Sequence, residues 1–253
     1  MIEVHDISKQ FSGKPILERV NISFEKGKTS LVIGGSGSGK TVMMKCMVGL
    51  FEADGGTIFY DGRNFSELGA KERKPIRQEI GMVFQGGALF DSLNVEGNVM
   101  FPLSMFTAMS DEEKRERANF CLNRVNLKNV NRLSTAELSG GMKKRVAIAR
   151  AIALNPKYLF CDEPNSGLDP RTSIVIDNLI REITQEYNIT TVINTHDMNS
   201  VMEIGDKIVF LYQGKKWWEG SSANLLEANN PELNDFIFAS KLMKKVRSQK
   251  SDV

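Results

Sequence analysis

Long apolar runs are missing from this 253-residue chain, and none approaches the ~18 residues that a membrane-spanning helix needs. The opening residues, Met1-Ile2-Glu3-Val4-His5-Asp6, lack the basic start and apolar stretch of a secretory leader. Cysteine is scarce. Cys46, Cys121 and Cys161 stand far apart in apolar company, which reads as three small buried hydrophobes in a reducing compartment rather than a disulfide framework. No charge sign dominates: 33 basic residues face 31 acidic ones, so net charge names no partner and nucleic acid is not expected. Internal repeats and low-complexity linkers are also absent. What is left is an ordinary globular composition, 41% hydrophobic and 25% charged, long enough for one large domain or two modest ones. The expectation is a cytoplasmic protein.

The most informative segment present is Gly34-Gly35-Ser36-Gly37-Ser38-Gly39-Lys40-Thr41. It follows the apolar run Leu31-Val32-Ile33 and opens a Met-rich stretch of helical character. Strand, glycine loop and helix in that order make the phosphate cradle of a P-loop. Backbone N–H groups of the loop and of the helix start point at an anion. Lys40 adds a point charge between the outer phosphates, and Thr41 offers a hydroxyl to Mg²⁺. A glycine turn of the dinucleotide-binding kind is the competing reading, but that motif does not call for the Lys-Thr pair.

Elsewhere the pattern predicts short strands over 2–33, with Asn21-Ile22-Ser23-Phe24 alternating before a Glu25-Lys26-Gly27-Lys28 turn. A strand from Thr57 to Tyr60 exits at Asp61-Gly62, and an apolar strand over Glu79–Phe84 ends in Gln85. Helical signals dominate from there to Pro156. Ala118, Cys121, Leu122 and Val125 keep helical spacing over Asp111–Asn126, with Ser110 as cap and Glu113 at capping-box distance. Beyond Pro156 strands and helices alternate at 157–161, 171–187, 190–195, 198–204 and 207–212. This βαβ rhythm implies a mainly parallel sheet interrupted by a helical insertion.

Two further stations carry chemistry. The apolar strand Tyr158-Leu159-Phe160-Cys161 delivers Asp162 and Glu163 to its carboxyl end, the edge where ligands of parallel sheets sit. Asp162 is placed to hold Mg²⁺ through water, and Glu163 to polarise an attacking water; alone, the pair would read as an acidic strand end. Glu137-Leu138-Ser139-Gly140-Gly141-Met142 opens a helix reaching Leu154. Val146, Ala149 and Ala153 share its inner face, while Lys143, Lys144 and Arg150 are expected to reach solvent. Two glycines at a helix start let backbone approach an anion; a capped helix with a flexible entry is the plainer reading.

Residues 34–41, Gln85, 138–142, 158–163, Ser166-Gly167-Leu168-Asp169 and His196 together resemble the ordered motifs of the ABC ATPase family: Walker A, Q-loop, signature, Walker B, D-loop and switch histidine. The resemblance covers residues 1–230. It implies an α/β fold: a RecA-like P-loop NTPase core with an N-terminal antiparallel β region and a helical subdomain over 86–156, followed by a C-terminal helix and tail at 231–253. It also implies a head-to-tail homodimer that hydrolyses ATP with Mg²⁺. By the same resemblance Ser139, Gly140 and Gly141 meet the γ-phosphate of the partner's ATP, and Gln85 touches Mg²⁺ and water. His196 contacts the γ-phosphate, Asp169 bridges the dimer interface, and Phe11 stacks on adenine unless it is a core-edge aromatic. Met142 and Gly167 depart from the frequent Gln and Ala of the family.

The wording FQGGALFDSLNVEGNVMFPL and ELSGGMKKRVAIARAIALNP resembles, more narrowly, the ATPases of Mla-type, Mce-associated phospholipid transporters, a subgroup that shares the signature methionine. That resemblance implies an MlaE-type integral permease, an MCE lipid-binding protein reached through it, and a peripheral position on the cytoplasmic face of the inner membrane. Apolar residues of the stretch 86–103 either pack inside the helical subdomain or line a groove for a permease helix, and both are expected. Lys241, Lys244, Lys245, Arg247 and Lys250 form a basic tail, read as a solvated end or as one drawn to an anionic leaflet.

Overall fold

A computed structural model describes residues 1–238. The chain opens with a long antiparallel hairpin, β1 (Ile2–Phe11) and β2 (Lys14–Phe24). Ser12 and Gly13 between them both hold positive φ, 50° and 78°, the two-residue turn whose twist matches that of the flanking strands. Each hairpin strand is longer than the short strands expected, because pairing runs from Ile2 with Phe24 to Phe11 with Lys14 despite register shifts along the way. β3 (Thr29–Ile33) leads into the glycine loop and α1 (Lys40–Met47), whose Met43, Met44, Cys46 and Met47 are buried. β4 (Gly55–Tyr60) returns to pair with β1, β5 (Arg63–Asn64) adds an edge, and α2 (Arg73–Gln78) precedes β6 (Ile80–Val83).

Helices α3 (Val95–Phe106), α4 (Asp111–Arg124) and α5 (Gly140–Ala151) fill the interval between β6 and β7 (Tyr158–Asp162). The predicted capping box on α4 is present, Ser110 Oγ accepting from Glu113 N and Glu113 Oε2 from Ser110 N. α5 stops at Ala151, short of the expected Leu154. Next come α6 (Pro170–Glu186), β8 (Thr190–Asn194), α7 (Met198–Ile204), β9 (Lys207–Tyr212), β10 (Lys215–Gly220), α8 (Ser222–Leu225) and α9 (Pro231–Ile237). The continuation of the expected terminal helix and the basic tail lie outside the described residues.

Six strands form the central sheet in the order β10-β9-β3-β8-β7-β6, parallel except for β10. Its inner strands are buried on both faces, and so lack the alternation of a half-exposed strand. Alternation divides their side chains between two cores. Val32, Phe160, Val192, Val209 and Leu211 face α1 and the antiparallel sheet. Leu31, Ile33, Leu159, Cys161, Ile193, Ile208 and Phe210 face a larger core continuous through α3–α9. All three cysteines are buried, and burial pushes the Cys46 and Cys121 thiols up to about 11. Among the described residues no helix is long and apolar enough to cross a membrane.

Apolar residues of 86–103 divide: Val95, Val99 and Leu103 enter the core, while Phe90 and Phe101 stay exposed. Asn98, fully buried on α3, pins this segment. Its amide donates to the carbonyls of Phe90, Leu93 and Asn94, and its oxygen accepts from Phe90 N at 2.8 Å.

Candidate active site

The carboxyl ends of β3, β8 and β7 are adjacent, and register decides what meets there. Val32 pairs with Asn194, and Asn194 pairs with Asp162. The glycine loop, Asn194-Thr195-His196 and Asp162-Glu163 therefore emerge side by side at one sheet edge, as ligand sites of parallel sheets do.

Gly39 caps α1 with φ 103°, and a Cβ there would lie 2.7 Å from Leu17 Cδ2, so the loop-to-helix turn needs glycine. A Cβ on Gly35 or Gly37 would meet nothing within 4 Å, leaving the cradle open on the side where phosphates would lie. Ser38 Oγ is buried without a partner. Lys40 Nζ donates to the carbonyls of Gly34 at 2.7 Å and Gly35 at 3.1 Å, so its charge is held over the loop. Burial pushes the Lys40 ammonium below the ordinary lysine range, with Glu163 and Asp162 pulling it back up.

Asp162 Oδ1 accepts from Thr41 Oγ1 at 3.2 Å and from Asn194 Nδ2 at 2.9 Å. Glu163 holds φ 50°, a left-handed backbone that turns its side chain away from that of Asp162, and its N–H donates to Asn194 O. Its Oε2 lies 2.8 Å from Nδ1 of the exposed His196. One half of the expected set thus converges: Lys40, Thr41, Asp162, Glu163 and His196.

The remaining expected residues sit apart. Gln85 is exposed at the exit of β6. Ser139 and Gly140 are exposed at the tip of α5, where Ser139 Oγ caps the helix by accepting from Met142 N at 3.2 Å. Gly141 packs so tightly on α6 that a Cβ would meet Thr172 Cγ2 at 2.7 Å. Asp169 caps α6, its carboxylate accepting from the N–H groups of Arg171 and Thr172 at 3.1 Å each. Phe11 is 42% exposed, edge-on to Phe51 with centroids 5.4 Å apart, and the Lys9 ammonium lies over its ring at 5.3 Å from the centroid.

One expectation fails. Lys144 does not reach solvent; it is only 6% exposed, its ammonium turned inward on α5 beneath the loops that follow β6 and β7. Arg150 is half-buried and donates to the carbonyls of Gly87 and Ala88 at 2.7 Å each. Sequence reasoning also missed Asn194, whose signal was an amide ending an otherwise apolar strand. It missed Asn165, Asp177 and Ser200, which form a buried cluster joining the segment after Glu163 to α6 and α7.

Burial pushes the Asp177 carboxyl up to about 6, against the pull of hydrogen bonds from Ser200 and Asn165. Between about pH 4 and 6 the folded chain then binds a proton that the unfolded chain has released. This group's contribution to stability is therefore largest at low pH and is lost as pH rises through 6. The loss is on the order of 3 kcal/mol at 1.36 kcal/mol per unit. Asp177→Asn, which can still accept from Asn165 and donate to Ser200, is expected to flatten that slope in denaturant midpoints measured between pH 4 and 7.

A glycine loop between strand and helix, with a carboxylate pair on a neighbouring parallel strand, defines a P-loop nucleotide triphosphatase. The family model described as ABC transporter matches residues 17–166. The chain belongs to the ABC transporter family, and its cassette is an ATPase. It is 34% identical over 237 residues to the intermembrane phospholipid transport system ATP-binding protein MlaF of Haemophilus influenzae, covering 94% of this chain and 90% of that protein. It is 36% identical over 236 residues to the probable ribonucleotide transport ATP-binding protein mkl of Mycobacterium tuberculosis. That match covers 93% of this chain, which spans 66% of the relative's length. The dimeric post-hydrolysis structure of the ATP-binding cassette MJ0796, bound to ADP and Pi, superposes with a TM-score of 0.81 at 33% identity. It covers 88% of this chain and 99% of that one.

Proposed function

We propose that this chain is the ATP-hydrolysing subunit of a transporter that moves phospholipid between envelope membranes through a separate MlaE-type permease. It acts as a homodimer on the cytoplasmic face of the inner membrane, with an MCE lipid-binding protein beyond the permease. The observation that carries the cargo reading is the nearly end-to-end relationship with MlaF, which extends through 90% of that protein.

In the proposed cycle each P-loop takes ATP, Lys40 reaching the outer phosphates and Phe11 the adenine. Ser139, Gly140 and Gly141 of the opposite subunit close on the γ-phosphate, aided by the positive end of α5. Glu163 takes a proton from the attacking water, and His196, 2.8 Å away, holds that carboxylate in line. Thr41, Asp162 and Gln85 would hold Mg²⁺, which neutralises charge spreading over the phosphates. The sparse oxygen set suits a cation bound largely through phosphate and water. Among the described residues no cluster of three or more His, Cys, Asp or Glu side chains offers a denser cage. Closing the dimer does the mechanical work; hydrolysis removes the group bridging the subunits and reopens it.

The permease contact we assign to the groove of about 430 Å³ beside the Q-loop, lined by Met82, Phe84, Phe90, Phe101, Phe106 and Leu154. Phe101 and Phe106 are 38% and 40% exposed, more apolar surface than a solvated helix needs. The groove lies between β6 and the helices inserted over 86–156, so displacement of those helices on closure reshapes it and pulls the permease.

The test is purification of the full chain with its integral partner from native membranes, followed by lipid extraction and transfer assays between vesicles. ATP-dependent movement of phospholipid is expected. Robust ATPase activity with movement of a soluble solute, ribonucleotide for instance, and none of lipid would replace the cargo reading.

A further inference from the structure

Lys144 is a buried cation that the proposed cycle does not use. It stands one turn inside α5, four residues from Gly140, and the two loops that follow β6 and β7 supply its acceptors. Its ammonium donates to Gln85 O, lies 3.3 Å from Ser166 Oγ and 3.4 Å from Glu163 O. Ser166 Oγ is itself 3.3 Å from Gln85 O, which closes the cluster. Three oxygens match the three N–H bonds of an ammonium, so the charge is satisfied where little solvent reaches it. Arg150 grips the same loop farther along, at Gly87 and Ala88, but reaches neither Glu163 nor Ser166.

The arrangement ties one helix to both halves of the catalytic apparatus. The exposed tip of α5 faces a second subunit, whereas the Lys144 ammonium holds the backbone of Gln85 and of Glu163 in its own subunit. Glu163 is also the residue whose left-handed backbone aims its carboxylate at His196. A shift of α5 therefore moves the loop carrying Gln85 and the peptide carrying Glu163 together. We propose that Lys144 is a positioning residue: it transmits engagement of α5 with the partner's nucleotide to the Glu163 carboxylate and Gln85 loop of its own subunit, making hydrolysis at the two sites cooperative. This rests on the shared-site dimer described above.

The experiment compares Lys144→Met, Lys144→Arg and Ser166→Ala in the full chain. It reads kcat, the Hill coefficient for ATP, affinity for a fluorescent ATP analogue and melting temperature. Methionine fills the same space without the three ties. Expected for Lys144→Met is unchanged analogue affinity, a kcat lower by roughly ten- to a hundredfold from misplacement of the base, and a Hill coefficient near 1. Arginine restores most of both quantities. Where Lys144→Met fails to fold, Ser166→Ala carries the test, with a smaller fall in kcat at the same affinity. Wild-type kcat and cooperativity in a folded Lys144→Met, or in Ser166→Ala, overturns the proposal. So does a loss in Lys144→Met that tracks melting temperature and is not rescued by arginine. A wild-type protein that hydrolyses ATP with a Hill coefficient of 1 and no ATP-driven dimer overturns the shared-site reading first, before any variant is made.

Discussion

Glu163→Gln leaves ATP binding in place and slows turnover by roughly 10²–10⁴-fold, the contribution expected of a positioned general base. The substitution keeps the shape of the side chain and its contact with His196 Nδ1, now 2.8 Å from the carboxylate, but removes the proton acceptor. Lys40, Thr41 and Asp162 are untouched, so the triphosphate still binds. In the proposed cycle closure depends on the intact γ-phosphate, so the variant is expected to accumulate as an ATP-bound dimer, visible by size-exclusion chromatography with and without nucleotide. Wild-type turnover in this variant removes Glu163 from the role of base. Monomeric ATP-saturated variant would instead count against closure between two subunits.

Lys40→Ala fails one step earlier. A charge-assisted contact of ~1.5–3 kcal/mol disappears, which lowers ATP affinity by roughly 10- to 100-fold and stops transport. The loop also loses the ammonium that binds the Gly34 and Gly35 carbonyls, so its shape is held less firmly. Pairing this variant with Ser139→Arg tests where the two halves of each site come from. Arginine at the exposed tip of α5 removes the cap on Met142 N and fills the approach to a nucleotide. Each variant alone is expected to be inactive. Mixed, they form dimers with one site built from an intact cradle and an intact helix tip, and ATP hydrolysis returns. No recovery on mixing, with mixed dimers demonstrated, would place both halves within one polypeptide.

Much of this site was legible because its parts are contiguous in sequence. The P-loop announces itself in eight residues, and the α4 capping box in four. Glu163 could be read from the strand before it and from its distance to the loop. What could not be read depends on segments far apart in sequence. Helical spacing gives Lys144 a polar setting between Lys143 and Arg145, and nothing local says that the loops after β6 and β7 fold over it. Asn194 looks like the end of an apolar strand until the β7–β8 register sets it beside Asp162. Asp177 lies on the buried face of α6 beside Ser173 and Ile180, and its partners Asn165 and Ser200 come from segments distant in sequence. Periodicity separates inside from outside for one element at a time, whereas these residues are buried by a second or third element.

The larger core runs without a break from the central strands through α3, α4 and α5 to α9. Packed apolar side chains join the inserted helices to the sheet, and the open groove lined by Met82, Phe84, Phe101 and Phe106 lies between β6 and α3. In the proposed cycle those helices are therefore expected to move by slippage of interdigitated side chains over small distances rather than by a free swing. Such gearing is stiff: in the proposed cycle a short stroke at the nucleotide is expected to arrive at the groove we assign to the permease as a short stroke, with little lost to slack.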